Sequence, residues 1–298
     1  AGPGRRFSFR AMASLWMIAA SFLFACMGVC VKLGAERFSA GELVFYRGFV
    51  ATVILGAIVA WRGLPLATRH AGTHCWRGLA GFVSLVAYFY AITLIPLATA
   101  VTLNYTSPLF LALLLVFWVG ERPSARLYAA LAAGFVGVVL VLQPTMERQQ
   151  LFGGMLGLAS GVISSVAYLN VRKLGAMGEP EWRTVFYFSL FSAVGGLPWL
   201  LLSHPFHAID ITGGLLLAGV GVFGVAAQLC MTAAYTRGRT LTAASLAYST
   251  VAFSSVFGVV LWRESPPLAA WLGIALIVGA GVATTWTPSA RNAVGAEL

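Results

Sequence analysis

The sequence predicts an all-α integral membrane protein with ten transmembrane helices in two inverted five-helix repeats. Three observations carry that prediction. Of 298 residues, 59% are hydrophobic and only 9% charged, against roughly 25% charged in a soluble globular chain, so the charges are too few to cover a surface facing water. Apolar runs of about 20 residues, the length that crosses a bilayer as a helix, recur along the whole chain. One corner is also written twice, as KLGAERFSAGELVFY at 32–46 and KLGAMGEPEWRTVFY at 173–187, an offset of 141.

The expected spans are about 11–32, 42–61, 77–95, 97–118, 125–142, 152–171, 183–203, 212–234, 241–262 and 267–286. The first follows Arg5, Arg6 and Arg10. Its apolar run is longer than a signal-peptide core and no small-x-small cleavage site precedes the next polar stretch, so it is expected to remain as a span. The second holds Arg47, about 10 Å deep if the helix starts near residue 40. The one longer polar loop, about 62–76, follows with Arg62, Arg69, His70 and His74. The fourth span is polar at mid-depth, with Thr102, Asn104, Tyr105, Thr106, Ser107 and then Pro108. The sixth spaces Gly153, Gly157 and Gly161 by four, which lets a neighbouring helix approach closely. The ninth repeats the polarity of the fourth with Ser245, Tyr248, Ser249, Thr250, Ser254 and Ser255. Tryptophans at 61, 76, 118, 182, 199, 262 and 286 fall near span ends, as interface anchors do. Cys26, Cys30, Cys75 and Cys230 show no metal-type spacing and read as free thiols.

Lysine and arginine set the orientation. With ten spans, fourteen of them fall on the side of the termini and four (Lys32, Arg37, Arg148, Arg263) on the other, with Arg47 inside a span. Both termini are therefore expected in the cytoplasm. The net charge of +10 is then a topology signal. The basic residues form no stripe, so nucleic acid is not an expected partner.

A second match extends the repeat. Residues 97–123 align without gaps to 240–266, pairing Thr99 with Thr242, Leu103 with Leu246, Tyr105 with Tyr248, Phe110 with Phe253, Glu121 with Glu264 and Pro123 with Pro266. The offset, 143, is close to 141. The chain thus divides into repeats over 11–143 and 152–287. Five helices per repeat is an odd number, so the second copy enters the membrane from the opposite side. Such halves offer two states of similar energy, one open to each face, with a site near the midplane between them. The repeat interface is already intramolecular, so a monomer suffices.

Chemistry is scarce along the spans. No Asp or Glu lies mid-span, all four histidines fall in expected loops, and no paired carboxylates or Ser/His/Asp set meet at one depth, so an enzyme has no site and no metal or cofactor is called for. The candidate cargo-binding residues are Asn104, Tyr105, Tyr248, Gln228, Tyr88, Tyr168 and Arg47. In lipid such groups must find partners inside the bundle, so each either lines a cavity or glues helices together. Pro108 cannot donate to the Asn104 carbonyl, which marks it as a hinge or a static kink. Arg47 could hold a carboxylate, pair with Glu42 or bond helix-end carbonyls. Aromatic rings near the centre suit a flat apolar group or an organic cation. With one buried cation and no buried acid, a neutral or zwitterionic cargo fits, moved without a strict proton requirement.

These residues resemble a known family. Phe45-Tyr46-Arg47, the segment IPLATAVTLNYTSPLFLALLLVFWVGERPSARLYAALAAGFVGVVLVL and its Glu-x-Pro turn before a Gly-rich last helix look like the EamA-type branch of the drug/metabolite transporter superfamily. The resemblance covers about 11–287, and the order of residues looks closest to bacterial aromatic amino-acid exporters. The second copy departs from the pattern, with Phe188 in place of Arg47 and Val251 in place of Pro108. The resemblance implies an alternating-access carrier in a bacterial inner membrane that exports small organic metabolites, amino acids with aromatic ones favoured, or organic cations. Carriers of other metabolites such as nucleotide sugars, and a passive channel, are the alternatives.

Overall fold

A computed structural model of the chain describes residues 3–119, 125–142, 148–202, 207–238 and 240–285. These residues form helices and no strand. The helices are α1 (Pro3–Gly34), α2 (Ala40–Arg62), α3 (Ala71–Leu94), α4 (Leu97–Asn104), α5 (Ser107–Val119), α6 (Ala125–Leu142), α7 (Arg148–Ala176), α8 (Glu181–Leu202), α9 (Ile211–Arg237), α10 (Thr240–Leu246), α11 (Ser249–Trp262) and α12 (Leu268–Thr285). Six stretches are long and apolar enough to cross a membrane: Leu15–Gly34, Ala40–Arg62, Ala71–Leu94, Leu97–Trp118, Gln150–Ala176 and Ile211–Arg237. The turn at Glu121, Arg122 and Pro123, together with His204 and Trp286, lies outside the described residues.

Local chemistry sets the helix ends. Ser39 Oγ accepts from the Glu42 N–H while the Glu42 carboxylate accepts from the Ser39 N–H, a capping box that opens α2. Gly63 closes the helix at φ 59°, a left-handed conformation that glycine adopts without steric cost. Asp210 caps α9 by accepting from the Gly213 N–H. The helix α3 starts at Ala71, earlier than the sequence predicts. His74, expected in a loop, therefore lies in its first turn and is buried.

The fourth and ninth spans, expected as single helices, are each broken at the same place. One gap falls between Asn104 and Ser107 and the other between Leu246 and Ser249. At the first, Pro108 has no N–H to give, and Thr106 Oγ1 donates to the Leu103 carbonyl at 2.7 Å. At the second there is no proline, yet Ser249 Oγ donates to the Leu246 carbonyl at 2.6 Å. Thr106 matches Ser249 and Leu103 matches Leu246 at the offset of 143. The same hydroxyl–carbonyl bond competes with the helix ladder in both halves. Pro108 is thus one cause of a break that the second copy achieves without it. Gly161 brings α7 against the first break: a Cβ there would stand 2.8 Å and 2.9 Å from the carbonyl oxygens of Leu103 and Asn104.

Packing joins the halves. The helix α1 lies on α9, α3 on α7, α2 on α8 and α6 on α12. Lesser pairs follow the same exchange: α4 meets α11 as α10 meets α5, α1 meets α11 as α7 meets α5, and α2 meets α9 as α8 meets α3. The α2–α8 crossing is tight because residue 48 has no side chain. A Cβ on Gly48 would stand 2.8 Å from the Ser192 carbonyl carbon and 2.9 Å from the Ser189 oxygen. The core runs between the halves and includes Met27, Phe89, Leu103, Val171, Tyr235 and Tyr248.

Polar contacts gather the turns at two ends. At one, Arg37 pairs with Asp210 at 2.8 Å, and Lys32 Nζ donates to the carbonyls of Ile92 at 3.4 Å and Ile95 at 3.2 Å. There too the Leu97 N–H donates to Glu264 Oε1 at 3.3 Å. At the other end Arg183 pairs with Glu179 at 2.8 Å and donates to the Pro65 carbonyl at 2.7 Å, and Arg237 pairs with Glu181 at 2.8 Å. Glu179 also accepts from Thr68 Oγ1. Burial pushes the Glu179 carboxyl up, but the bonds from Thr68 and Arg183 outweigh it and leave it below its ordinary value.

Candidate functional site

The tight α2–α8 crossing sets Arg47, one residue before Gly48, beside Phe188. The Arg47 Cζ lies 5.1 Å from the centroid of the Phe188 ring. A second cation shares that ring: Arg77 Cζ is 4.0 Å from the same centroid. Sequence alternation counts Arg77, the first residue of the expected third span, on the cytoplasmic side. It instead sits six residues into α3, about 9 Å along the helix axis, and is only 2% exposed. Among the described residues, Arg47 is therefore one of two buried guanidiniums. The signal for the second was faint: Gly78 and Gly81 follow Arg77, and both face phenylalanine rings of α8, Phe191 and Phe188.

Around these arginines lies a small cavity of about 60 Å³. Its lining includes six of the seven predicted residues: Arg47, Tyr88, Asn104, Tyr105, Tyr168 and Gln228. The seventh, Tyr248, is not in that lining. It is 1% exposed in the core, at the start of α11, and its hydroxyl has no partner among the described residues. Residues that the sequence reading did not select also line the cavity, among them Phe24, Met27, Arg77, Ser84, Ser164 and Phe188. Equivalent positions of the two copies meet here, since Arg47 matches Phe188 and Met27 matches Tyr168 at the offset of 141.

Hydrogen bonds divide the lining into a settled part and an open part. Asn104 Nδ2 donates to Ser160 Oγ at 2.7 Å, and Ser84 bonds both the Ser160 carbonyl at 2.8 Å and Ser164 Oγ at 2.6 Å. These groups fasten α3 and α4 to α7. Arg47 has a weak contact at 3.5 Å from Nη2 to Gln228 Oε1. Its Nε, the Nε and Nη1 of Arg77 and the Nε2 of Gln228 have no partner among the described residues. Glu42, one partner that the sequence offers for Arg47, is occupied elsewhere. It accepts from Ser39 at 2.7 Å and from the His207 N–H at 3.2 Å, and lies 2.9 Å from His207 Nδ1. The ion pairs among the described residues involve neither Arg47 nor Arg77.

A cavity holding two arginines, set among apolar helices long enough to cross a bilayer, has the features of a membrane transport protein. The chain belongs to the EamA-like transporter family, whose model matches it twice, over residues 11–143 and 151–286. It is similar to the pseudopaline exporter CntI of Pseudomonas aeruginosa, at 30% identity over 273 residues, covering 92% of this chain and 95% of that protein. A riboflavin transporter of Brucella anthropi is 22% identical over 272 residues, covering 89% and 95%. An S-adenosylmethionine uptake transporter of Rickettsia bellii is 26% identical over 184 residues, covering 61% and 62%. A solved crystal structure superposes with a TM-score of 0.71 at 22% identity, over 93% of this chain and 96% of that one, a likeness of fold.

Proposed function

We propose that this protein is an alternating-access carrier that exports small carboxylate-bearing organic metabolites of the amino-acid type. The observation that carries the reading is the pair of buried, unpaired guanidiniums in a cavity lined from both halves. Leaving charge unpaired in a membrane bundle is costly, and a guanidinium fork matches a carboxylate with two parallel bonds. A neutral cargo, which the sequence leaves open, does not meet that demand. Tyr88, Tyr105 and Tyr168 add rings for an apolar or aromatic group on the same molecule. Relatives that carry pseudopaline, riboflavin and S-adenosylmethionine are consistent with an organic cargo, and they include an exporter and an uptake carrier.

The exchange-symmetric packing and the two family matches support ten spans in two inverted repeats. The Lys/Arg asymmetry supports cytoplasmic termini in a bacterial inner membrane, with a monomer as the working unit. In this state the end carrying Lys32 is clasped: Lys32 ties α1 to the α3–α4 junction, and Glu264 ties the α11–α12 turn to the start of α4. Opening that end requires both ties to release. The breaks at Asn104–Ser107 and Leu246–Ser249 are the places where the halves can bend, with Pro108 a hinge residue of the first.

The test is counterflow in proteoliposomes with a panel of amino acids, neutral sugars and organic cations, with and without a pH gradient. Amino acids should exchange at matched pH while neutral sugars do not. Flux that vanishes whenever the gradient collapses would show that the missing mid-span acids were misread, and exchange of neutral sugars alone would overturn the carboxylate reading.

A further inference from the structure

Resting on that reading, we propose that the cargo is a dicarboxylate, an organic molecule with two carboxylates held by Arg47 and Arg77 around the Phe188 ring. Three observations converge on it. First, the charge is double. The distances of 5.1 Å and 4.0 Å to one centroid place the two Cζ atoms at most about 9 Å apart. Each guanidinium is only 2–3% exposed, and the ion pairs among the described residues supply neither with an acid. Two like charges that close repel each other, and burial strips the water that would screen them. One carboxylate answers one guanidinium; two answer both.

Second, the orphaned atoms are all of one kind. Arg47 Nε, Arg77 Nε, Arg77 Nη1 and Gln228 Nε2 are the fully buried side-chain atoms of the lining without partners among the described residues, and every one is an N–H donor. A ligand that completes this set brings acceptors, and several of them. The neighbouring lining groups Asn104 Nδ2, Ser84 Oγ and Ser164 Oγ already have partners on α7 or in each other. Third, Phe188 stands where the other repeat has its arginine. It lies against both cations, so the ring and the two guanidiniums form one surface.

The experiment compares phenylalanine with glutamate and with 4-carboxyphenylalanine, which keeps the ring and adds a second carboxylate. Binding is read by thermal shift of the purified protein in detergent, and exchange by counterflow. Inorganic phosphate and chloride are separate arms. The two dicarboxylates should bind at least tenfold more tightly than phenylalanine. Arg77→Gln should erase that preference, bringing both dicarboxylates down to the affinity that phenylalanine shows in the same variant. Arg77→Lys keeps the charge without the fork and should retain part of it, which guards against a variant that merely misfolds. If phenylalanine exchanges as well as both dicarboxylates, the dicarboxylate proposal fails and the carboxylate carrier stands. If no carboxylate exchanges, both fail. If phosphate or chloride alone protects the protein as well as any dicarboxylate, the arginines hold an inorganic counter-ion and the proposal is overturned.

Discussion

Lys32 and Lys173 open the two copies of KLGA, yet they are used differently. Lys32 is half-buried and donates to the carbonyls of Ile92 and Ile95, at the C-terminal end of α3. Lys173 is exposed and has no hydrogen bond recorded among the described residues. If the halves trade conformations, Lys173 will grip the C-terminal carbonyls of α9 when Lys32 lets go of α3. Replacing Lys32 with Met keeps the stem and removes the ammonium, which weakens the observed state. A hydrogen bond from a charged donor contributes roughly 1.5–3 kcal/mol. Partial exposure and the 3.2 and 3.4 Å lengths reduce that to about 1–2 kcal/mol, a population shift of about 5- to 30-fold. The assay places a single cysteine at Met27, in the cavity lining, after the four native cysteines are replaced. Its alkylation by an impermeant maleimide is timed from the face bearing Lys32. Lys32→Met should raise the rate about 5- to 30-fold, Lys173→Met should lower it or leave it alone, and the double variant should fall between. A rate within twofold of the parent for Lys32→Met, or an equal rise for Lys173→Met, refutes the clasp.

Two further outcomes separate roles within the bundle. Tyr105→Ala should weaken cargo binding by about 1–3 kcal/mol with little change in melting temperature, because the ring lines the cavity. Tyr248→Ala should cost about 3–5 kcal/mol of stability instead, because that ring is core, and equal binding losses for both would show that the cavity extends to Tyr248. At the opposite end, Glu179 is held below its ordinary carboxyl value of 4.5 by Thr68 and Arg183 despite burial. A depressed carboxyl stabilises the folded state above its unfolded value and loses that contribution as pH falls through the folded one. Melting temperature in detergent should therefore drop as pH falls below about 4.5, and Glu179→Gln should flatten that drop; an unchanged pH profile in the variant counts against the Thr68–Glu179–Arg183 tie.

The sequence displayed its helices, its duplication and most of its cavity, because each has a periodic or compositional trace. Apolar runs show spans, a repeated KLGA shows the copies, and Asn, Gln and Tyr at mid-depth stand out against an apolar background. Arg77 did not stand out. Charge alternation treats any arginine near a span end as a loop residue, and only the early start of α3 and the rings of α8 reveal that this one turns inward. The breaks in the fourth and ninth spans were half visible. Pro108 announced the first, while the second depends on Ser249 reaching back to the Leu246 carbonyl, and a serine in a helix leaves that choice open. Tyr105 and Tyr248 look alike in sequence, and only packing separates a cavity wall from a core filler.

The equivalent positions of Arg47 and Phe188 have a consequence for what passes through. Two like copies build the frame, but its lining is not alike, since one copy contributes a cation where the other contributes a ring. A passenger therefore finds a head end and a tail end. On the alternating-access reading proposed above, the openings reverse when the halves swap shapes while the arginines stay with their helices. The passenger would then leave without turning over, tail last on one side and tail first on the other.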